Sequence, residues 1–337
     1  MPNSIASPLT QVPSDRPKAR TRILLTAVII LFAGAADAEL VNIPWKGDYP
    51  HNSNRHWSKD NLYDSGFSRN FKNGTPQEFG DIKKDGELRA EIITPKDTTG
   101  PVPFMIVMHG CGGMDTVTKE WAHRVADLLT TERFGVLILD SYTTRYVDNS
   151  CGMPDFHWGR RRADDAYSAL DYLIENKLAK PNEVYLMGYS NGGIATLISM
   201  TKKEEDHKYR FAAGFPIAPN CLPLSVKYGN FYSPMIVFIG DQDDANIPAP
   251  CRELGNRKHA VPLQLVEYKG ANHGFIIKQA PKVLHGWTDA KGVAHMWHMN
   301  YNELAERDMM QTIVSAIKTK KFGSKIEVRP VGSAELK

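Results

Sequence analysis

The feature that most constrains the fold of this chain is a sharp turn between an apolar strand and a helix-forming segment. Residues 184–192 read Val-Tyr-Leu-Met-Gly-Tyr-Ser-Asn-Gly. Gly188 and Gly192 flank Ser190 because a Cβ at either position of so tight a turn would clash with the neighbouring element. This pattern is typical of a nucleophile elbow with Ser190 at its apex. A serine hydroxyl is a poor nucleophile alone, so the turn predicts a nearby base and an oxyanion hole.

Strand-like and helix-like segments alternate from residue 87 onward. Because the apolar runs are continuous and the segments between them carry apolar residues on one helical face, the alternation predicts an α/β fold. We expect a mostly parallel central sheet with helices on both faces. The predicted strands are Leu88–Ile93, Phe104–Met108, Val136–Leu139, Val184–Met187, Ala212–Ile217, Met235–Ile239 and Leu263–Tyr268, and the last helix runs from Asn302 to Ile317.

Candidate partners for Ser190 follow two later strands. Reactive groups gather at the carboxyl ends of parallel strands, so residues just after a strand are the ones to consider. Gly240-Asp241-Gln242-Asp243-Asp244 follows one strand, and Asn272-His273-Gly274 follows the next. The resulting order Ser, Asp, His is that of α/β-hydrolase triads and not of the chymotrypsin or subtilisin scaffolds.

Each member of this set has a distinct predicted role. His273 is the predicted general base, because the ordinary pKa of a histidine lies close to neutrality. Asp243 is the predicted residue that orients the imidazole, with Asp241 and Asp244 as alternatives. A solvated turn or a cation site is another interpretation of this acidic cluster, but a calcium loop would need an oxygen ligand where Ala245 stands.

The oxyanion hole is predicted from two backbone N–H groups. One belongs to Asn191, just after the nucleophile, and the other to Cys111 in the loop His109-Gly110-Cys111-Gly112-Gly113. Glycines in this loop would let the backbone approach a substrate oxygen. A phosphate-binding P-loop is excluded because no Lys-Ser or Lys-Thr pair follows the glycines. We expect His109 to be structural and to bond the loop that it begins.

These segments, taken in order, resemble the dienelactone hydrolase family of α/β-hydrolases over roughly residues 80–320. The resemblance implies the α/β-hydrolase fold, hydrolysis of esters or lactones through an acyl-enzyme, and no cofactor. It is carried by 109–113, Asp140-Ser141 with Arg145, Gly188-Tyr189-Ser190-Asn191-Gly192-Gly193, Gly240 to Pro248 with Asp243, Ala271-Asn272-His273-Gly274-Phe275, and Tyr301-Asn302 with Ala305 and Asp308.

Two departures from the family pattern bear on the substrate. Dienelactone hydrolases have a cysteine nucleophile where this chain has Ser190, and Ile277 stands where the family has one carboxylate-binding arginine. Arg145 is the candidate for another substrate-binding arginine, although a surface role is also open. The pattern therefore favours a serine carboxylesterase that acts on a small-molecule ester.

The N-terminal segment is predicted to be a signal peptide. Four basic residues between Arg16 and Arg22 precede an uncharged stretch from Ile23 to Ala36, and Ala36-Asp37-Ala38 resembles a cleavage site. The stretch is short for a membrane-spanning helix, so a retained anchor is the alternative. We therefore expect a secreted or periplasmic protein with no stable membrane insertion after cleavage. Removing 1–38 takes the net charge from +3 to +1, which gives no electrostatic basis for binding nucleic acid.

The four cysteines are an even number, as expected in an oxidising compartment. Cys221 and Cys251 each follow closely on a predicted core strand, so we expect these two to pair. Cys111 and Cys151 then pair by elimination. Four buried thiols are the alternative, and no cysteine spacing matches a zinc site.

The domain organisation follows from these assignments. We expect a signal peptide over 1–38, an irregular N-terminal arm over 39–80, one catalytic domain over 81–322 and a C-terminal tail over 323–337. Residues 276–300 are interpreted as an insertion that either covers the acyl pocket or packs on the core. The oligomeric state stays open.

Several alternative functions remain at this point. A peptidase of the same fold would share the elbow and the residue order, and a catalytically inactive binding protein is possible in principle. The spacing of His295 and His298 would suit two metal ligands on one helical turn, but no carboxylate motif completes a metal site. Arg160-Arg161-Arg162 is interpreted as a solvated or ion-paired first turn of a helix, and Trp121 as a core residue.

Overall fold

The chain is described by a computed structural model over most of its predicted catalytic region. The strands are β1 (Asp37–Pro44), β2 (Glu87–Thr94), β3 (Val102–Met108), β4 (Gly135–Asp140), β5 (Ala179–Tyr189), β6 (Ala213–Ile217), β7 (Met235–Gly240), β8 (Leu263–Lys269), β9 (Lys282–Thr288), β10 (Ala294–Met299) and β11 (Ile326–Pro330). The helices are α1 (Thr116–Thr131), α2 (Asp155–Glu175), α3 (Asn191–Ser199), α4 (Ala249–Asn256) and α5 (Glu303–Thr319). The described residues are 36–45, 86–145, 150–151, 155–201, 204, 206–222, 229–288 and 292–331, without the side chains of 145, 155–158 and 287–288.

Nine of these strands form one sheet in the order β1-β2-β4-β3-β5-β6-β7-β8-β11. The pairs β1–β2 and β2–β4 are antiparallel, and every other pair is parallel. Strands β4 and β7 are buried along their whole length, as expected for strands covered on both faces. The protein therefore has the α/β architecture that the alternating pattern predicts, in the form of the α/β-hydrolase fold that the family resemblance implies.

Helices cover both faces of the sheet, and each face has its own hydrophobic core. One core joins α2, α3 and α4 to side chains such as Phe104 and Leu137. The other joins α1 and α5 to side chains such as Met105 and Val136. Neighbouring residues of one strand thus enter opposite cores, which is the period of two that a strand imposes. Trp121 is fully buried in the second core, as predicted.

Two strands lie in segments that the sequence analysis leaves without regular structure. Residues 39–44, assigned to the irregular arm, belong to β1 and pair with β2 at one edge of the sheet. Residues 326–330, assigned to the tail, form β11 and pair with β8 at the other edge. Both are edge strands with many exposed side chains, so neither has the apolar run that identifies a buried strand.

The segment interpreted as an insertion contains a separate two-stranded hairpin. Strands β9 and β10 pair antiparallel and form their own sheet. His295 and His298 lie on β10 and not on a helix, so their spacing does not place two metal ligands on one helical turn. In a strand, residues three apart face opposite sides.

Both predicted disulfides are present. Cys111 pairs with Cys151, and Cys221 pairs with Cys251, with Cα–Cα distances of 4.9 and 5.1 Å. Among the residues described, no helix is long and apolar enough to cross a membrane. The predicted signal peptide lies almost entirely outside the described residues, as does most of the predicted arm.

Candidate active site

Ser190 sits at the junction of β5 and α3 in a strained backbone conformation. Its φ of 54° and ψ of −114° lie in a region that residues with a side chain rarely adopt. The Ser190 N–H donates to the Ile217 carbonyl at 2.8 Å, which helps to hold the turn. A Cβ on Gly192 would lie 2.5 Å from the His109 carbonyl oxygen, and one on Gly188 would lie 2.1 Å from the Gly192 carbonyl oxygen. The glycines are therefore required by close backbone approach.

The structure brings Ser190, His273 and Asp243 into one hydrogen-bonded line. His273 Nε2 lies 3.0 Å from Ser190 Oγ, and His273 Nδ1 lies 2.8 and 3.0 Å from the two carboxylate oxygens of Asp243. An ionised carboxylate only accepts hydrogen bonds, so Nδ1 carries the proton and Nε2 is free to accept from the serine hydroxyl. All three residues are buried, which protects this line from bulk water.

The two neighbouring aspartates bond elsewhere. Asp241 accepts a hydrogen bond from the Gly270 N–H at 2.7 Å. Asp244 lies on the outer side of the same loop and bonds His298 of the hairpin, through both the backbone N–H and the Nδ1 atom of that residue. Asp243 is therefore the aspartate of this loop that meets His273. Its Oδ1 also accepts from the N–H groups of Ala245 and Asn246, which fixes the carboxylate.

The loop that carries His273 is held by residues that the sequence analysis does not single out. The Tyr189 hydroxyl donates to the His273 carbonyl at 3.2 Å, so the residue before the serine also holds the histidine backbone. Asn272 Oδ1 accepts from the N–H groups of Gly274 and Asn300 and ties the loop to the end of β10. A Cβ on Gly274 would lie 2.8 Å from Met299 Cα, so the hairpin packs closely against this loop.

The predicted oxyanion loop lies beside the serine. A Cβ on Gly110 would be 3.5 Å from Ser190 Cβ, which places this loop within reach of the same reacting atom. The Cys111 carbonyl accepts from the Ser150 N–H at 2.7 Å, and the Cys111–Cys151 disulfide bonds the same segment again. Asn191 is the first residue of α3, where backbone N–H groups have no partner within the helix. The loop that carries Cys111 and the first residue of α3 thus both lie next to Ser190.

His109 is a buried, neutral imidazole that shapes the oxyanion loop. Its Nε2 accepts from the Ser141 N–H at 3.2 Å, so Nδ1 carries the proton and donates to the Gly110 carbonyl at 2.7 Å. Burial, together with the positive charge of Arg162, lowers the pKa of His109 from 6.5 to about 3. This agrees with its predicted structural role.

The arginine run differs from its prediction at one position. Arg160 forms the expected ion pairs, with Glu204 and more distantly with Asp164. Arg162 is instead fully buried, and its guanidinium donates to the Asn191 side chain and to the His109 carbonyl. Only the helical spacing could have indicated this, because Arg162 shares the buried face of α2 with Ala163 and Ala166.

Two further points of the sequence analysis concern the side chain of Arg145 and a metal site at the histidines of β10. The backbone of Arg145 ends a short 3-10 helix that follows β4, and its side chain lies outside the described residues. Within the described part of the chain, no group of three or more His, Cys, Asp or Glu side chains could hold a metal ion. His298, one of the two candidate ligands, bonds Asp244 instead.

Comparison with known proteins agrees with this geometry. The dienelactone hydrolase family matches residues 88–320, which is well over half of the chain. The chain belongs to the dienelactone hydrolase family. It is a hydrolase of the ester and lactone type, and the matched segment includes Ser190, Asp243 and His273.

Individual relatives of this hydrolase are distant. A Bradyrhizobium protein described as a probable 2-oxo-3-(5-oxofuran-2-ylidene)propanoate lactonase is 22% identical over 216 residues, which cover 58% of this chain and 82% of the relative. Thermogutta terrifontis esterase 2, in a structure phosphorylated by paraoxon, is 17% identical with a TM-score of 0.53 and covers 72% of this chain and 93% of its own. A candidate dienelactone hydrolase from Klebsiella pneumoniae subsp. pneumoniae is 14% identical with a TM-score of 0.52, covering 70% and 95%. At these identities the structural likeness shows the shared fold.

Proposed function

We propose that this hydrolase is a serine carboxylesterase that cleaves esters or lactones through an acyl-enzyme. The observation that carries the proposal is the unbroken line of contacts from Ser190 Oγ through the His273 imidazole to the Asp243 carboxylate. A strained serine backbone between β5 and α3 supports the same role, because it presents the hydroxyl at the apex of the turn.

In the proposed reaction His273 moves one proton in each direction. As Ser190 Oγ attacks the substrate carbonyl carbon, His273 Nε2 takes the hydroxyl proton. The imidazolium that forms is stabilised by Asp243. When the tetrahedral intermediate collapses, the bond to the leaving alkoxide breaks and His273 returns the proton to that oxygen. Water then attacks the acyl-serine with His273 as base again, which releases the carboxylic acid and restores Ser190.

The oxyanion of the tetrahedral intermediate is assigned to the N–H groups of Cys111 and Asn191. Support comes from the close approach of Gly110 to Ser190 and from the position of Asn191 at the start of α3. The positive end of a helix dipole adds to the stabilisation there. Donors held in place before the reaction stabilise the transition state more than water does, because they need no reorganisation.

A small-molecule ester or lactone is the proposed substrate. The lactonase description of the Bradyrhizobium relative and the family itself support this class. Arg145 remains the proposed contact for a substrate carboxylate, on the strength of its place after β4. Two disulfides support an oxidising compartment, and we propose a secreted or periplasmic location for the mature protein.

Hydrolysis of short-chain p-nitrophenyl esters by the purified full chain tests the proposal. We expect turnover that Ser190→Ala abolishes and that Asp243→Asn reduces about 10,000-fold, because an asparagine stabilises the wrong imidazole tautomer. Asp241→Asn is the matched control. It lies on the same loop and keeps an oxygen for the Gly270 N–H, so activity should stay close to that of the wild type.

Three other outcomes would contradict the proposal or a part of it. Selective cleavage of peptide amides over esters would favour a peptidase of this fold. A folded wild-type protein that neither hydrolyses esters nor reacts with a fluorophosphonate would be an inactive binding protein. Equal loss of activity in Asp241→Asn and Asp243→Asn would contradict the assigned role of Asp243.

A further inference from the structure

Arg162 is a fully buried arginine beside the proposed oxyanion hole. It projects from α2 into the space behind Ser190, and its side chain has no exposed surface. Its Nη1 donates to Asn191 Oδ1 at 2.9 Å, and its Nη2 donates to the His109 carbonyl at 2.6 Å. Both acceptors are neutral. Burying a cation is costly, and the nearby carboxylates of Asp140 and Asp165, together with the Tyr142 side chain, offset part of that cost.

The first contact holds the residue after the nucleophile. Asn191 is 1% exposed, and its Nδ2 has no hydrogen-bond partner among the described residues. Among the described residues, Arg162 is therefore the hydrogen-bond partner that fixes the side-chain amide of Asn191. Because Asn191 also carries one of the two proposed oxyanion donors, Arg162 holds the start of α3 at the point where that donor lies.

The second contact holds the other side of the hole. The peptide unit is planar and trans, so a carbonyl and the N–H of the next residue point in opposite directions. Arg162 binds the His109 carbonyl and so orients the Gly110 N–H, while His109 Nδ1 binds the Gly110 carbonyl and so orients the Cys111 N–H. Arg162 and His109 thus fix two successive peptide planes. The second of these planes carries the Cys111 N–H, which is the proposed donor.

From these contacts we propose that Arg162 is a positioning residue for the oxyanion hole. It acts through Asn191 on one side of Ser190 and through His109 on the other, and it sets the spacing between the two backbone donors. The proposal rests on the proposed esterase function and adds to it a residue that makes no contact with the reacting atoms.

The positive charge of Arg162 supports its proposed role as a positioning residue. An arginine remains protonated even when buried, and the Tyr142 ring lies 5.2 Å from the guanidinium carbon as a cation–π partner. The positive charge of Arg162 helps to keep His109 neutral, and only the neutral ring can accept from Ser141 while donating to Gly110.

Steady-state kinetics of Arg162→Met and Arg162→Lys with p-nitrophenyl acetate test this proposal. We expect kcat to fall about 10- to 100-fold in Arg162→Met with KM nearly unchanged, which is less than the loss from removing an oxyanion donor itself. Arg162→Lys should keep the charge, recover part of kcat and leave a smaller deficit. Affinity for an aliphatic trifluoromethyl ketone, whose serine adduct carries the oxyanion, should fall in parallel with kcat/KM.

The matched control is Arg160→Met. Arg160 lies on the same helix and ion-pairs with Glu204 away from Ser190, so its loss should affect stability and leave kcat close to wild type. Equal kcat in the two methionine variants, with both proteins folded, would overturn the proposal. An inactive wild type would instead overturn the esterase function, so the two failures are distinguishable.

A second variant covers a folding failure of Arg162→Met. Asn191→Ala removes one acceptor of Arg162 and keeps the backbone N–H, so kcat should fall while KM holds. The double variant with Arg162→Lys should lose less than the product of the two single losses, because both changes act on one contact. An unchanged kcat in Asn191→Ala, or losses that multiply fully, would contradict the role of Arg162.

Discussion

A single buried imidazole links the sheet to the oxyanion loop. His109 directly follows β3, begins the loop and bonds Gly110 and Ser141 with its two ring nitrogens. A protonated ring would donate from both nitrogens, so it would face the Ser141 N–H with another donor. Protonation therefore opposes the folded state, in addition to the cost of burying a charge beside Arg162.

This pKa shift makes stability depend on pH in a defined window. Since the pKa of His109 is about 3 in the folded protein and about 6.5 in the unfolded chain, only the unfolded chain binds this proton between those values. The contribution is fully present above pH 6.5 and is lost as the pH falls toward 3, by up to about 1.4 kcal/mol per pH unit.

Urea unfolding of the wild type and of His109→Asn at pH 5 and pH 7 measures this contribution. The asparagine amide can still donate to the Gly110 carbonyl but does not titrate. We expect His109→Asn to be less stable at pH 7 and to lose less stability than the wild type on going to pH 5. The same pH dependence in both proteins would show that His109 does not carry the effect.

At the scale of the elements, the loop after β3 is held by several kinds of contact. The disulfide to Cys151 and the Ser150 N–H hold Cys111, and the helix α3 packs against the carbonyls of Met108 and His109. The other disulfide instead joins Cys221 to α4, near the Asp243 side of the sheet. The two crosslinks span similar sequence separations of 40 and 30 residues, so their effects on chain entropy should be similar.

Replacing each disulfide by a serine pair separates stability from positioning. Both Cys111→Ser/Cys151→Ser and Cys221→Ser/Cys251→Ser should lower the free energy of unfolding by about 2–4 kcal/mol. Only the first should also lower kcat, because it frees the residue whose N–H is the proposed oxyanion donor. Chemical denaturation and ester kinetics at a temperature where both variants are folded give the two quantities. A larger kcat loss in the second pair would contradict this assignment.

The sequence predicts some strands accurately and misses others, and the difference has physical reasons. Buried strands such as β4 and β7 were predicted within one residue at each end, because a strand covered on both faces is a continuous apolar run. The edge strands β1 and β11 have largely exposed side chains and carry no such signal. The hairpin β9–β10 lies outside the main sheet, and the sequence indicates an insertion there without indicating its strand pairing.

The site shows the same division between local and distant information. The positions of Ser190, Asp243 and His273 follow from strand ends, which are local patterns. The choice among three adjacent aspartates rests on tertiary contacts, since Asp241 and Asp244 bond Gly270 and His298. The burial of Arg162 is likewise a tertiary property, because its sequence neighbours Arg160 and Arg161 make the run resemble a solvated surface.

At the scale of the whole molecule, the chain closes its sheet with a strand that follows the last helix. In β11, Ile326 packs near Gly255 of α4, and Arg329 donates to Asp308 and Thr312 of α5. The Lys325 carbonyl accepts from the Leu265 N–H of β8. The segment after residue 322 therefore ties α4, α5 and β8 together and protects the edge of β8.

Truncation tests the contribution of β11. A chain that ends at Phe322 should lose about 2 kcal/mol or more, roughly 5 °C in Tm, and should associate through the newly exposed edge of β8. A chain that ends at Val331 keeps β11 and is the matched control. Thermal unfolding and light scattering compare the two proteins. Equal Tm values would show that the residues after 322 are a dispensable tail.

The proposed reaction uses four groups, which are the oxyanion loop, Ser190, Asp243 and His273. They follow the ends of β3, β5, β7 and β8, and these strands span most of the parallel part of the sheet. The two that lie nearest in sequence, Asp243 and His273, are 30 residues apart. Turnover is therefore a sensor of the register between strands that are distant in sequence. If one strand shifted along its axis by a fraction of the two-residue repeat, turnover would be lost. Circular dichroism would at that point record no loss of secondary structure.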